Sequence, residues 1–166
     1  MAGAMEHAIL DGNPRFMRQA IDLAVENVRS GAGGPFGAVV VRNGEVIATG
    51  VNQVTATNDP TAHAEVVAIR AACRKLGSFQ LTGCVMYTSC EPCPMCLAAL
   101  YWSRCDAIFY GCSATDAAAA GFDDSFLYEE VARPLDRRTI PIRRLMAEDA
   151  AEAFDAWRAQ ANRIEY

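Results

Sequence analysis

Apolar positions along this chain change their period several times, and each change marks an element. Between Asn13 and Ser30, Phe16, Ala20, Leu23, Ala24 and Val28 recur on one helical face. Asn13-Pro14 supplies a capping side chain and a proline suited to a first turn, so the spacing predicts a helix that ends near Ser30. The glycine-rich stretch Gly31 to Gly34 breaks it. The run Gly37 to Val41 then reads as a buried strand, and Asn43-Gly44 as a hairpin turn that returns through Glu45 to Gly50 as an antiparallel partner.

Asn52 to Pro60 is polar and predicts a loop. Thr61 can cap a helix through Ala64, Val67, Ala68 and Ala71 to about Leu76, where Gly77 stops it. Cys84 to Thr88 reads as a short strand, Ser89 to Pro92 as a loop, Pro94 to Trp102 as a helix and Ala107 to Tyr110 as another strand. Alternating helix and strand favours parallel pairing with helical crossovers, hence an α/β fold. After Gly111 the pattern is irregular. A short helix is expected from Ser125 to Val131, a late strand from Thr139 to Leu145, and a final helix over Glu148 to Ile164 with Phe154, Trp157 and Ala161 on one face.

Length and composition narrow this picture. At 166 residues the chain suits one domain, 1–166, and 52% hydrophobic with 21% charged residues is ordinary globular usage. No apolar run reaches the roughly 18 to 20 residues of a membrane span, so no membrane partner is expected. Met1 to Leu10 carries Glu6 and lacks the basic start and cleavage site of a secretory signal, which makes the cytoplasm the expected location. A net charge of −5 argues against a broad nucleic-acid surface, and the pairs Arg137-Arg138 and Arg143-Arg144 read as solvated surface. Seven cysteines are an odd count in a chain apolar enough to fold without staples, so reduced thiols are expected.

Two of those thiols and one histidine change the picture most. His63-Ala64-Glu65 is followed, 30 positions after His63, by Cys93 in Pro92-Cys93-Pro94-Met95-Cys96, the signature of zinc deaminases. Cys93 and Cys96 share a face of a first helical turn, whose positive end lowers the cost of two thiolates. With His63 they make three protein ligands to one Zn2+ ion, leaving a fourth position to water as catalytic sites do. Water at such an ion ionises near pH 7 rather than about 15.7. Glu65 is two residues beyond His63 and can take a proton from that water without being a ligand. The plainer alternative is a closed structural site with Cys90 as fourth ligand, but Cys90 precedes Glu91-Pro92 outside the helix and better suits packing. Cys73, Cys84, Cys105 and Cys112 read as small core residues.

With these residues in place the chain resembles the cytidine-deaminase-like superfamily, and within it the bacterial guanine deaminases. The likeness runs from Gly33-Gly-Pro-Phe-Gly-Ala-Val through Asn58-Asp-Pro-Thr-Ala-His-Ala-Glu and Tyr87-Thr-Ser-Cys-Glu-Pro-Cys-Pro-Met-Cys to Glu165-Tyr166. The zinc motif does not separate the relatives. Ala120-Gly-Phe-Asp-Asp-Ser-Phe, Ala156-Trp-Arg and the terminal tyrosine are what look like the guanine enzymes.

The resemblance implies a three-layer α/β/α sandwich around a five-stranded mixed sheet. It implies a homodimer too, in which a C-terminal helix and tail from about 148 to 166 cross to the neighbouring subunit and cap its pocket. It also implies that Asn52 hydrogen-bonds a purine, that Phe36 and Trp102 wall the ring, and that Asp124 and Tyr166 close or read the site. Residues 1–12, which include His7, look like an N-terminal extension to the family core. A tRNA adenosine deaminase shares the same metal elements, and a deaminase of cytosine or of an aminated triazine is a further alternative. Outside enzymes, a zinc-stabilised scaffold would keep the metal without turnover.

Overall fold

In the computed structural model, which describes residues 11–165, the first apolar stripe folds as helix α1 (Pro14–Arg29). The Asn13 side chain accepts the Arg15 N–H at 3.0 Å and Pro14 occupies the first turn, so the start is capped as expected. The first ten residues of the expected N-terminal extension, His7 among them, and Tyr166 lie outside the described residues. Strands β1 (Gly37–Arg42) and β2 (Glu45–Val51) form the antiparallel hairpin. Asn43 and Gly44 turn the chain with φ of 53° and 78°, the positive pair that matches strand twist.

A single turn of helix, α2 (Val54–Thr57), interrupts the loop that polarity alone predicts. Then follow α3 (Ala64–Leu76), β3 (Cys84–Cys90), α4 (Pro94–Trp102), β4 (Ala107–Cys112) and the short α5 (Ala114–Ala119), the last closed by a Ser113–Asp116 capping box. The sheet order is β2-β1-β3-β4. Strand β1 runs antiparallel to both neighbours, while β3 and β4 are parallel and joined by α4, the helical crossover such a pair needs.

Buried on both sides, β1 sends alternate residues to two cores. Val39 and Val41 meet Phe16 and Ala20 of α1, with Tyr87; Ala38 and Val40 meet Ala64, Ala68 and Ala72 of α3, with Met86 and Leu100. Helices therefore cover both faces, which gives the three layers expected. The approach of α3 is unusually close: a Cβ on Gly50 would stand 2.2 Å from the Ala64 carbonyl oxygen and 2.6 Å from the Ala68 nitrogen. Only glycine at that place of β2 lets the first turn of α3, which carries the candidate site, lie on the sheet.

One expectation fails. The sheet of the described residues has four strands, not five, and residues 139–145 form no strand. Pro141 offers no N–H to a ladder and restricts Ile140 before it, and Ile140, Ile142 and Leu145 stand exposed.

The chain divides into two compact units, the first up to Asp124 and the second from Ser125 onward. The second contains α6 (Ser125–Ala132), a 3-10 turn (Leu135–Arg137) and α7 (Ala147–Ala159), none of which buries a residue. Within it Glu130 accepts from both the Thr139 N–H and hydroxyl at 2.9 Å. Helix α7 stops at Ala159, so Ala161 is not on it, and Phe154 and Trp157 are exposed. No helix of the described residues is long and apolar enough to cross a membrane.

Candidate active site

Two helices begin on metal-type ligands. His63, rather than Thr61, occupies the N-cap of α3, because Thr61 is held in a turn by Asp59, whose Oδ1 accepts the Thr61 N–H at 2.8 Å and its hydroxyl at 2.7 Å. Cys93 occupies the N-cap of α4, with Pro94 opening the helix and Cys96 in its first turn. Neither side chain serves as a helix cap. Instead they face each other: His63 Nδ1 lies 3.6 Å from Cys93 Sγ and 3.5 Å from Cys96 Sγ, and the three ligand atoms all lie within 4.8 Å of one another. Zinc bonds of roughly 2.05 Å to nitrogen and 2.3 Å to sulfur, set at a tetrahedral angle, separate the two atoms by about 3.6 Å. The donor set and its spacing fit zinc.

Electrostatics agree. Hydrogen bonding from the Cys96 thiol, and then from His63, overcomes the cost of burial and brings the Cys93 thiol down to about 4. The same contact with Cys93, together with burial, pushes the Cys96 thiol upward. Without a cation one of these sulfurs keeps its proton at the other's expense; a dication allows both to ionise. The bond to Cys93 raises the His63 imidazole against its desolvation. Cys90 is no fourth ligand: its thiol donates to the Ser113 carbonyl at 3.7 Å, and burial holds it protonated, with a pKa of about 11. Among the described residues the group offers three ligands, the number a catalytic zinc site takes from its protein.

Glu65, one residue into α3, is 5% exposed, and burial raises its carboxyl above the ordinary range. Thr88 donates its hydroxyl to Glu65 Oε1 at 3.1 Å. A strand threonine such as Thr88 carries no local mark of its partner in the sequence. The same holds for Asn27, buried on α1, whose Nδ2 donates to the carbonyls of Gly34 and Asn52 at 2.9 Å each and so ties helix, loop and strand end together.

The structure brings some of the other expected residues together. Asn52 is buried at the end of β2, its N–H bonded to the Phe36 carbonyl at 3.1 Å and its Oδ1 accepting the Val54 N–H at 3.3 Å. Phe36 is half-buried and meets Phe122 edge to face at 5.0 Å between centroids. Asp124 has its carboxyl raised by burial and then by the nearby Cys93 charge, which ties it electrostatically to the ligand cluster. Trp102, at the end of α4, is 63% exposed, with the Arg104 guanidinium 5.9 Å from its ring centroid.

A metal triad on two helix starts, an adjoining buried carboxyl and an α/β sandwich define a zinc-dependent deaminase. The family description "Cytidine and deoxycytidylate deaminase zinc-binding region" matches residues 11–112, and the chain belongs to that family. Within the family, this chain is 56% identical over 151 residues to the guanine deaminase of Bacillus subtilis, spanning 91% of this chain and 97% of the relative. The X-ray structure of guanine deaminase from Bacillus subtilis superposes with a TM-score of 0.91 at 55% identity, covering 93% of this chain and 99% of that one. A tRNA-specific adenosine deaminase of Aquifex aeolicus is 45% identical over a shorter stretch, 52% of this chain and 56% of the relative.

Proposed function

We propose that this enzyme hydrolyses guanine to xanthine and ammonia. The observation that carries the reading is likeness to a guanine deaminase at 56% identity over 91% of the chain, where the tRNA adenosine deaminases match at 45% over 52% or at 36% over 69% of it. In this reading His63, Cys93 and Cys96 hold one zinc ion, which supplies the activated water. Oxygen attacks C2 of guanine, the carbon that bears the exocyclic amine. Glu65 takes the water's proton, passes it to N3, and moves a second proton to the departing ammonia. Burial raises its carboxyl above the ordinary range, the direction that favours accepting a proton.

The remaining residues hold the ring. Asn52, with Oδ1 fixed by the Val54 N–H, offers its NH2 group to a purine acceptor. Phe36 supplies an apolar face for the ring, and Asp124 a carboxyl that can accept a ring N–H. Assayed on guanine, adenine, cytosine, their nucleosides, an aminated triazine and a tRNA substrate, the zinc-loaded protein is expected to release ammonia fastest from guanine, with xanthine as product. Turnover of tRNA adenosine with none on guanine would reverse the substrate assignment.

The reading includes a homodimer in which residues from about 148 to 166 pass to the neighbouring copy, where Tyr166 helps close the pocket, while Trp102 walls the ring. It is supported by large apolar side chains left exposed in one chain, Tyr101 and Trp102 on α4 and Phe154 on α7, since surfaces of that kind mark contacts. Reduced thiols suit a cytoplasmic setting. Light scattering should give twice the chain mass. Removal of residues 164–166 should lower turnover on the order of tenfold or more while leaving the melting temperature within a few degrees, as expected of a lid; unchanged turnover would refute the lid.

A further inference from the structure

Near its end, β3 uses both faces of the sheet through consecutive hydroxyl residues. Ser89 Oγ accepts the Gly37 N–H at 3.1 Å and so anchors the start of β1 beside Phe36. Thr88, 1% exposed, turns the opposite way and donates to Glu65 Oε1 at 3.1 Å across 23 residues of sequence. We propose that Thr88 is a positioning residue for the reaction: its hydroxyl occupies Oε1 of Glu65, so that the transferred proton is carried on Oε2.

The two oxygens of a carboxylate are equivalent until one is engaged. A hydroxyl that donates to Oε1 can keep that bond whether Glu65 is ionised or protonated, because a protonated carboxyl retains an acceptor oxygen. As the water O–H breaks, the new O–H forms at Oε2; that bond then breaks as N3 of the substrate takes the proton, and the Thr88 O–H stays intact throughout. Cys96 also touches Glu65 as a thiol, but a zinc-held thiolate has no proton to give, which leaves the Thr88 hydroxyl as the lasting side-chain donor, beside the Glu65 backbone N–H. Threonine suits the task better than serine, since its branched Cβ restricts χ1 on a strand and the buried hydroxyl has little room to swing away. Without it the buried carboxylate would be left to its own backbone N–H and less firmly held.

The inference rests on guanine deamination as the reaction. Thr88→Val and Thr88→Ala remove the hydroxyl, one keeping bulk and the other adding none, and Thr88→Ser restores it. All three are to be compared with the wild type for zinc per chain, melting temperature, kcat and KM on guanine, and the solvent deuterium isotope effect on kcat. The hydroxyl-free variants should keep zinc and hold KM within about twofold, while kcat falls about ten- to a hundredfold, the scale of a lost hydrogen bond to a charged group. Their isotope effect should grow as proton transfer becomes slower, and Thr88→Ser should recover kcat to within about threefold. Wild-type kcat in either folded, zinc-loaded hydroxyl-free variant overturns the proposal, as does a serine variant no faster than valine. Failure of the wild type on guanine is a separate result, which sinks the substrate reading and is seen before any variant is made.

Discussion

Glu65→Gln will bind zinc as fully as the wild type and turn over guanine on the order of 10² to 10⁴ times more slowly, the span that a positioned proton carrier contributes. The amide has nearly the shape of the carboxylate and sits in a buried place, 5% exposed, where Thr88 can still donate to the remaining oxygen. What the variant lacks is an atom at the second position able to accept a proton. The metal is unaffected because Glu65 is not in the ligand cluster of His63, Cys93 and Cys96. Zinc per chain and kcat, measured on one preparation, check this, and a glutamine variant that turns over within tenfold of the wild type sinks the role.

The same substitution should leave the zinc-free protein at least as stable near pH 7. Burial raises the Glu65 carboxyl above its unfolded value, so the folded state holds that proton more tightly than the unfolded one. Such a group favours folding at low pH, and its contribution falls as pH climbs past the unfolded value toward the folded one. At neutral pH the carboxylate is a burden that glutamine removes. An equal or higher melting temperature beside a collapse in kcat is the exchange of stability for activity expected of a reactive group held where it is uncomfortable.

The residues of this centre were legible in the sequence because their geometry is local. Cys93 and Cys96 share one helical turn, His63 and Glu65 share the start of another, and Pro94 and Gly77 mark where those helices begin and stop. Asn43-Gly44 dictated the hairpin for the same reason. Thr88 and Asn27 were not legible, because a threonine on a strand and an asparagine on a helix acquire partners only when elements 23 and 25 residues away fold onto them. The cap of α3 moved from Thr61 to His63 because Asp59 competes for the threonine. The late strand failed because Pro141 outweighs the apolar residues around it, which stand exposed, and period alone does not say whether an apolar residue is buried. Trp102 illustrates the same limit: resemblance assigned it to a pocket wall, and a single copy leaves it on the surface.

Stripping the metal with a chelator should abolish turnover and leave the fold in place, with activity restored by added zinc. The two cores explain why. Phe16, Ala20, Val39 and Tyr87 pack on one face of the sheet, and Ala38, Val40, Ala68, Met86 and Leu100 on the other, with α3 seated on Gly50; none of these contacts passes through the ligands. Loss of bound zinc then costs stability only through linkage, about 4 kcal/mol when free zinc stands at a thousand times its dissociation constant, which lowers the melting point without unfolding the chain at 25 °C. A small domain built around a structural ion behaves otherwise, since its binding energy is its folding energy and chelators denature it. Far-UV circular dichroism of the chelated protein distinguishes the two: retained ellipticity with reversible loss of turnover marks a reaction centre, whereas unfolding would return the chain to the zinc-stabilised scaffold. Cys96→Ala sharpens the distinction. It removes a ligand from the floor of the site, 0% exposed, and adds no bulk, so it should keep the fold and yet fail to recover activity at any zinc concentration the wild type needs.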